Sequence, residues 1–263
     1  MKKKKKIKLL LLVLVFIGIV SLIIIFKDNI KNVFIPIYRV EDRTKEVEKF
    51  SKKYTKEDVQ GWIKVQGTNI DYPIINNYQD MDEEYSRSFD YAWTNGIVSK
   101  DDNYIPIFGH NIRNVSNKPI ISDESMIRFE QLMAFIYYDF AKDNKYIQLT
   151  YNGENYLYRI YSVRLYRSVN SLNQPIKLDT KEKKDYIKDA INNSYFGYKT
   201  KVDESDKLIS LITCTRFYGN SLYSFKIDAK LVKNKKVGYN YITKKKRKYE
   251  GIEKVLEGDE NNA

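Results

Sequence analysis

Apolar and polar residues alternate along much of the middle of the chain, and a period of two is typical of half-buried β-strands. Residues 62–65 and 70–75 alternate in this way on either side of a glycine-containing turn. The strongest hairpin signal comes later, where residues 146–151 and 156–161 flank an Asn-Gly dipeptide. Because Asn-Gly is the preferred pair for a two-residue hairpin turn, we expect these two runs to form antiparallel strands.

Helical spacing interrupts the strands at three places. Apolar residues recur at every third or fourth position around residues 44–50, 124–140 and 180–193, and Thr180 is the expected cap of the last helix. Further apolar runs are typical of strands: residues 104–108, 208–215 and 222–232. Seven or eight strands with two or three inserted helices favour a mostly β protein. We expect a closed or nearly closed β-barrel with peripheral helices rather than a parallel α/β sheet.

The N-terminus has the pattern of a membrane anchor. Six lysines lie within the first eight residues, and the run from Leu9 to Phe26 carries no charge. Eighteen helical residues span roughly 27 Å, enough for the hydrocarbon core of a bilayer. A cleaved signal peptide is the alternative, but its apolar region is usually shorter and ends at a small-residue site. By the positive-inside tendency, we expect a transmembrane helix with a cytoplasmic N-terminus and the remaining chain outside the cell.

These patterns divide the chain into five predicted segments. The last of them is polar, with a basic cluster followed by acidic residues, and is expected to lie outside the core. The segments are a basic cytoplasmic stretch at 1–8, the anchor at 9–26, a helical linker at 27–55, the barrel at 56–232 and a charged tail at 233–263.

Composition narrows the candidate chemistry. The 263 residues carry a formal net charge of +12 but only one cysteine and one histidine. A single cysteine forms no internal disulfide, and tetrahedral zinc needs three or four Cys or His ligands. A cation site made of Asp and Glu alone stays compatible with the sequence, but we expect no cofactor. Any Cys–His chemistry must use Cys214 and His110.

Both of these residues lie at the ends of predicted strands. Cys214 closes the apolar run 208–215, and His110 follows the run 104–108 after Gly109. A side chain at a strand end is presented at the rim of a barrel, which suits a nucleophile. The alternatives are that Cys214 is a small buried apolar residue and that His110 is a polar surface residue.

At these positions the chain resembles the sortases, specifically class B. Residues 210–214 read Ser-Leu-Ile-Thr-Cys where the family has TLxTC, and residues 108–112 read Phe-Gly-His-Asn-Ile where it has approximately YGHN(M). Residues 61–74 are similar to the first barrel strands of the family. The helical segment 180–193 resembles the long helix that class B carries before the cysteine strand. The resemblance runs from about residue 45 to Val232.

The resemblance implies an eight-stranded barrel with a cysteine transpeptidase at its rim. The Cys214 thiolate would attack a threonine carbonyl in the C-terminal sorting signal of a surface protein, and His110 would transfer protons. Thr213 and nearby backbone N–H groups would stabilise the oxyanion. An amine of peptidoglycan, or of another protein, would resolve the thioacyl-enzyme. The implied partners are therefore the surface protein, the amine acceptor and the membrane of a Gram-positive cell, with no nucleic acid.

One departure from the family concerns an arginine. Class B sortases have an arginine at the start of the last strand that holds the substrate carbonyl or oxyanion, and this chain has Ser224 at the corresponding position. Arg216 would lie on the side of Cys214 if the chain stays extended, so we expect it to be the third catalytic residue. Lys226 is the second candidate, because it would share the face of Ser224.

Two other functions remain open at this point. A sortase-fold binding or scaffold protein with lost or weak turnover would explain the missing arginine. An unrelated secreted thiol protease would also use a cysteine, but water rather than an amine would resolve its acyl-enzyme.

Overall fold

The computed structural model describes residues 8, 11–22, 38–53, 59–76, 91–167, 178–219, 223–232 and 242–244. The chain divides into two compact units, one of residues 1–38 with 236–239 and one of residues 39–235 with 240–263. In the first unit, residues 11–22 are helical. The remainder of the predicted anchor, residues 9–10 and 23–26, lies outside the described residues. Across the part of the chain described here, no helix is long and apolar enough to cross a membrane.

The second unit is built on a closed eight-stranded barrel, as the sequence predicts. The strands follow one another around the barrel in the order β1-β2-β3-β4-β8-β9-β6-β5, and β7 and β10 form a separate two-stranded sheet. The ten strands are β1 Val59–Val65, β2 Asp71–Asn76, β3 Ala92–Thr94, β4 Tyr104–Phe108, β5 Tyr146–Tyr151, β6 Glu154–Arg167, β7 Phe196–Tyr198, β8 Leu208–Thr215, β9 Tyr223–Leu231 and β10 Ile242–Lys244.

The predicted hairpin joins β5 to β6. Their antiparallel register ends at the pair of Tyr151 with Glu154, which leaves Asn152 and Gly153 as the turn. Both turn residues have positive φ, 50° and 74°, as a type I′ turn requires. Local turn chemistry therefore sets the register of this part of the barrel.

The described part of the second unit also contains four helical segments. They are α1 Thr44–Ser51, a 3-10 helix at Phe129–Ile136, α2 Tyr138–Asp143 and α3 Thr180–Asn193. The cap of α3 differs from the sequence prediction, because Asp179 rather than Thr180 is the N-cap. Asp179 and Glu182 form a reciprocal capping box, which satisfies two backbone N–H groups at once.

The segment 124–140 is not the single amphipathic helix that its spacing predicts. Residues 129–135 are all buried, so this segment has no solvent-facing side of the kind an amphipathic helix needs. It forms the 3-10 helix, and an extended Tyr137 (φ −84°, ψ 126°) separates that helix from α2. The apolar spacing of this segment therefore does not correspond to one buried face of a continuous α-helix.

The predicted tail, residues 233–263, is described only at β10, where it packs against the barrel unit. β10 pairs antiparallel with β7, and the Ile242 side chain is buried within the main apolar core. The Tyr138 hydroxyl donates a hydrogen bond to the Ile242 carbonyl at 2.8 Å. Strand β10 is therefore attached to the folded barrel unit through its pairing with β7 and the burial of Ile242.

Candidate active site

The two candidate catalytic residues lie at one edge of the barrel, on strands that are distant in sequence. β4 and β8 are parallel neighbours, and their register runs from Tyr104 opposite Leu208 to Phe108 opposite Ile212. His110 and Cys214 each follow two residues after that last pair. Because side chains two residues apart share a face of a strand, both continue the face of Phe108 and Ile212.

This face is the outer surface of the barrel. On β8, Ile209 and Leu211 belong to the interior core, whereas Ile212 packs with Ile75, Trp93 and Phe108 in a separate cluster. That cluster forms an apolar floor directly before the two strand ends. The imidazole of His110 lies on this floor, with its ring centroid 4.8 Å from that of Trp93.

Gly109 is required by packing at the position before His110. A Cβ atom there would lie 2.4 Å from the ring of Phe129, a distance that real side chains do not adopt. The backbone φ of Gly109 is not positive. The glycine therefore allows close approach to the 3-10 helix rather than an unusual conformation.

The loop that carries His110 is hydrogen-bonded to the strand that carries Cys214. The Gly109 N–H donates to the Ile212 carbonyl at 3.1 Å, and the Gly109 carbonyl accepts from the Thr213 hydroxyl at 2.6 Å. Thr213 is buried, and its hydroxyl hydrogen points to Gly109. The Thr213 hydroxyl proton is therefore already donated to Gly109 and cannot also stabilise an oxyanion.

Burial shifts the pKa values of the two reactive groups in opposite directions. Cys214 is exposed, yet the atoms around the thiol still partly desolvate it and raise its pKa. Desolvation lowers the pKa of half-buried His110, and the charge of Arg128 lowers it further. Because burial disfavours a charged form in both cases, the resting pair at neutral pH is a thiol and a neutral imidazole.

Ser224 lies directly opposite Cys214. The antiparallel register of β8 and β9 pairs Cys214 with Ser224 and Ile212 with Lys226. Lys226 therefore shares the face of Ser224, as the sequence predicts. It lies two residues further along β9 from the residue that pairs with Cys214. Its ammonium is buried, and its nitrogen lies 4.6 Å from the ring centroid of Tyr166 and 5.2 Å from that of Tyr186. Burial lowers the pKa of Lys226 to about 8.

Arg216 is the first residue after β8, and its side chain is exposed. Its backbone N–H donates to the Val115 carbonyl at 3.0 Å, and its carbonyl accepts from the Gly219 N–H at 2.8 Å. The chain therefore turns after Thr215 instead of staying extended. Since the extended geometry was the reason for placing Arg216 beside Cys214, its catalytic role remains a prediction.

A buried charged cluster beneath α3 was not anticipated from the sequence. On the same outer face, Arg164 donates to Asp228 at 3.1 Å and also pairs with Asp189 of α3. Asp228 further accepts from the hydroxyls of Ser210 at 2.6 Å and Tyr186. The sequence carries a signal for this cluster, because charged residues recur at alternate positions of β9, at Lys226, Asp228 and Lys230. Such alternation next to a helix predicts a polar interface between the two.

Within the described residues, no three or more His, Cys, Asp or Glu side chains are grouped so that they could hold a metal ion.

The chain is similar in sequence to two curated proteins that are both named sortase B. The protein of Staphylococcus aureus (strain NCTC 8325 / PS 47) is 23% identical over 188 residues, covering 67% of this chain and 71% of the relative. The protein of Listeria monocytogenes serovar 1/2a is 26% identical over 186 residues, covering 66% and 68%. No protein-family model matches the chain.

Solved structures show the same relationship. The X-ray structure of Clostridium perfringens sortase B has a TM-score of 0.56 and 25% identity, and the match covers 70% of this chain and 99% of that one. The fold is that of a sortase. Together with the curated relatives, it supports a sortase of class B, and the predicted resemblance to that class is confirmed.

The raised pKa of Cys214 predicts how this residue reacts with a neutral alkylating reagent. Only the thiolate reacts, and a raised pKa means that the thiolate is fully formed only above that pKa and is lost as the pH falls through it. We expect the iodoacetamide rate at Cys214 to reach half its maximum above the ordinary cysteine value of about 8.5. Mass spectrometry across a pH series measures this rate without interference, because the chain has one cysteine. A midpoint well below that value would contradict the prediction and show that a nearby cation outweighs desolvation.

Proposed function

We propose that this protein is a membrane-anchored cysteine transpeptidase. It cleaves a C-terminal sorting signal after threonine and transfers the protein to an amine of peptidoglycan. The observation that carries the proposal is the placement of His110 and Cys214 at one edge of a sortase-type barrel, beyond the paired residues Phe108 and Ile212 of parallel strands. The similarity to proteins named sortase B supports the same class of reaction.

In the first half of the reaction, the Cys214 thiolate attacks the threonine carbonyl. A tetrahedral oxyanion forms, and the C–N bond to the following residue then breaks. The imidazolium of His110 gives its proton to the departing amine, which leaves a thioester on Cys214 and a neutral imidazole. In the second half, His110 takes a proton from the incoming amine, which attacks the thioester and releases the thiolate.

The protonation states set a limit on the rate. The reaction starts from a thiolate and an imidazolium, whereas burial favours the neutral thiol and imidazole. Only a minority of molecules therefore hold the reactive combination at neutral pH. The apolar floor around Trp93 maintains this balance, because it desolvates His110 on one side.

The oxyanion also needs a donor, and we propose that Arg216 is that donor. Its guanidinium keeps its charge near neutral pH and can make a bidentate contact. The Arg216 side chain is exposed and lies two residues after Cys214, which leaves it accessible to a bound substrate. Lys226 is the competing candidate, since it lies on the face of Cys214 but is enclosed by two tyrosine rings.

A second candidate function is a sortase-fold binding or scaffold protein with weak turnover. The observation that favours it is Ser224, whose short side chain lies directly opposite Cys214 where the family has an arginine. The two functions differ in one measurable respect, because only the transpeptidase forms an acyl-enzyme at a useful rate.

We expect Cys214→Ala to abolish cleavage of sorting-signal peptides and transfer to an added amine. His110→Ala should reduce the rate by about 10²-fold or more, which is the usual contribution of general acid–base catalysis. The measurement is mass-spectrometric analysis of a peptide library incubated with the protein and an amine. Because Cys214 is exposed, Cys214→Ala should leave the melting temperature nearly unchanged. Cleavage by Cys214→Ala would contradict the mechanism, and products formed only with water would indicate a protease.

The oxyanion donor is tested by three variants. Removing one such donor typically lowers the rate by about 10²–10³-fold, so we expect this loss in the acyl-enzyme formation of Arg216→Ala and little change in Lys226→Ala. The third variant, Ser224→Arg, restores the family residue opposite Cys214. If both alanine variants are unchanged and Ser224→Arg raises the rate strongly, neither cation has replaced the arginine. That result would favour the scaffold function.

We also propose that residues 9–26 keep the protein in the cell membrane with the barrel outside. The support is the uncharged run of eighteen residues behind six lysines. Protease added to intact protoplasts should remove the barrel and leave a small N-terminal fragment in the membrane. A mature protein that begins after residue 26 would contradict this location.

A further inference from the structure

Asn111, the residue after His110, is buried and contacts the nucleophilic residue directly. Its Nδ2 donates to the Cys214 carbonyl at 3.0 Å and to the Asn114 carbonyl at 2.9 Å. Its Oδ1 accepts from the Asn114 N–H at 3.0 Å. These partners determine the orientation of the amide, because only Oδ1 can accept from an N–H and only Nδ2 can donate to the two carbonyls.

Other hydrogen bonds between the His110 loop and β8 lie on either side of Cys214. They involve Ile212 and Thr213 before it, and Thr215 and Arg216 after it, where the Val115 carbonyl accepts from the Thr215 hydroxyl at 3.3 Å. The Asn111 amide therefore joins the residue after His110 to the residue that carries the thiol. The two residues are 103 positions apart in the chain.

We propose that Asn111 is a positioning residue for the reaction, an inference that rests on the proposed function. Its amide holds the backbone that follows His110 against the carbonyl of Cys214. This contact fixes the separation of the imidazole and the thiol beyond the last paired residues of β4 and β8. A displacement of about 1 Å between reacting groups can reduce a rate by about 10²-fold, so one hydrogen bond at this point has a large effect on catalysis.

Asn114 provides a matched control in the same loop. It is also a buried asparagine, and its Nδ2 donates to the carbonyls of Ile120 at 3.0 Å and Glu130 at 2.8 Å. Its Oδ1 accepts from the Ile120 N–H at 2.7 Å. Its side chain therefore stabilises the loop with the same number of bonds as Asn111, but none of them reaches Cys214.

The kinetic test compares Asn111→Ala with Asn114→Ala in the full-length protein in detergent. We expect Asn111→Ala to lower kcat by about 10²-fold with little change in KM, and Asn114→Ala to keep kcat within about threefold at a similar loss of melting temperature. Asn111→Asp is the second variant. It keeps an acceptor for the Asn114 N–H but replaces the donor to Cys214, so it should behave like Asn111→Ala even if the alanine variant folds poorly.

A second measurement needs no substrate and separates this inference from the proposed function. Because the chain has one histidine and one cysteine, the NMR signals of His110 can be followed before and after iodoacetamide modifies Cys214. We expect modification to shift the His110 titration in the wild type and in Asn114→Ala, and to have a much smaller effect in Asn111→Ala.

Two outcomes would overturn the inference. The first is an equal loss of kcat in the two alanine variants, which would make Asn111 an ordinary loop residue. The second is a His110 response to modification of Cys214 that is absent in the wild type or unchanged in Asn111→Ala. If the protein transfers no peptide at all but the NMR response depends on Asn111, the proposed function fails while the positioning role stands.

Discussion

The site depends on the parallel pairing of β4 with β8. These strands are about a hundred residues apart in sequence, and only their hydrogen-bonded register places His110 and Cys214 at one edge. Parallel neighbours need a long crossover connection, and here the intervening chain forms β5, β6 and α3. The same register places Phe108 and Ile212 under the reactive pair as an apolar floor. The placement of the candidate pair and its desolvating environment thus follow from one strand alignment.

Desolvation at this edge has two consequences for the chemistry. It raises the pKa of Cys214 and lowers that of His110, so it disfavours a thiolate–imidazolium pair. It also strengthens electrostatic interactions at this edge, because the local dielectric is lower than in water. Positioning is therefore as important as charge at this site, and the hydrogen bonds of the His110 loop to β8 supply it.

On the side of β9 and β6, the outer face beside Cys214 is polar and charged, in contrast to the apolar floor on the side of β4. Arg164, Lys226 and Asp228 lie there under α3, and Asp228 is satisfied by one guanidinium and two hydroxyls. Buried charges are costly unless they are paired in this way. Their arrangement ties α3 to three neighbouring strands, and Ser224 completes the same face opposite the thiol.

Local pattern was sufficient for most of the barrel strands, the Asn-Gly hairpin and helix α3, because period and turn chemistry are local properties, but it did not predict the short strand β3. The single Cys and single His left Cys214 and His110 as the only candidates for Cys–His chemistry. Tertiary structure decided the rest. The segment around Phe129 is a buried 3-10 helix, Arg216 lies at a turn rather than in an extended chain, and Ile242 of the charged tail is buried in the main core. Asn111 gained its role in the same way, since its partner Cys214 is 103 residues away and no sequence window contains both.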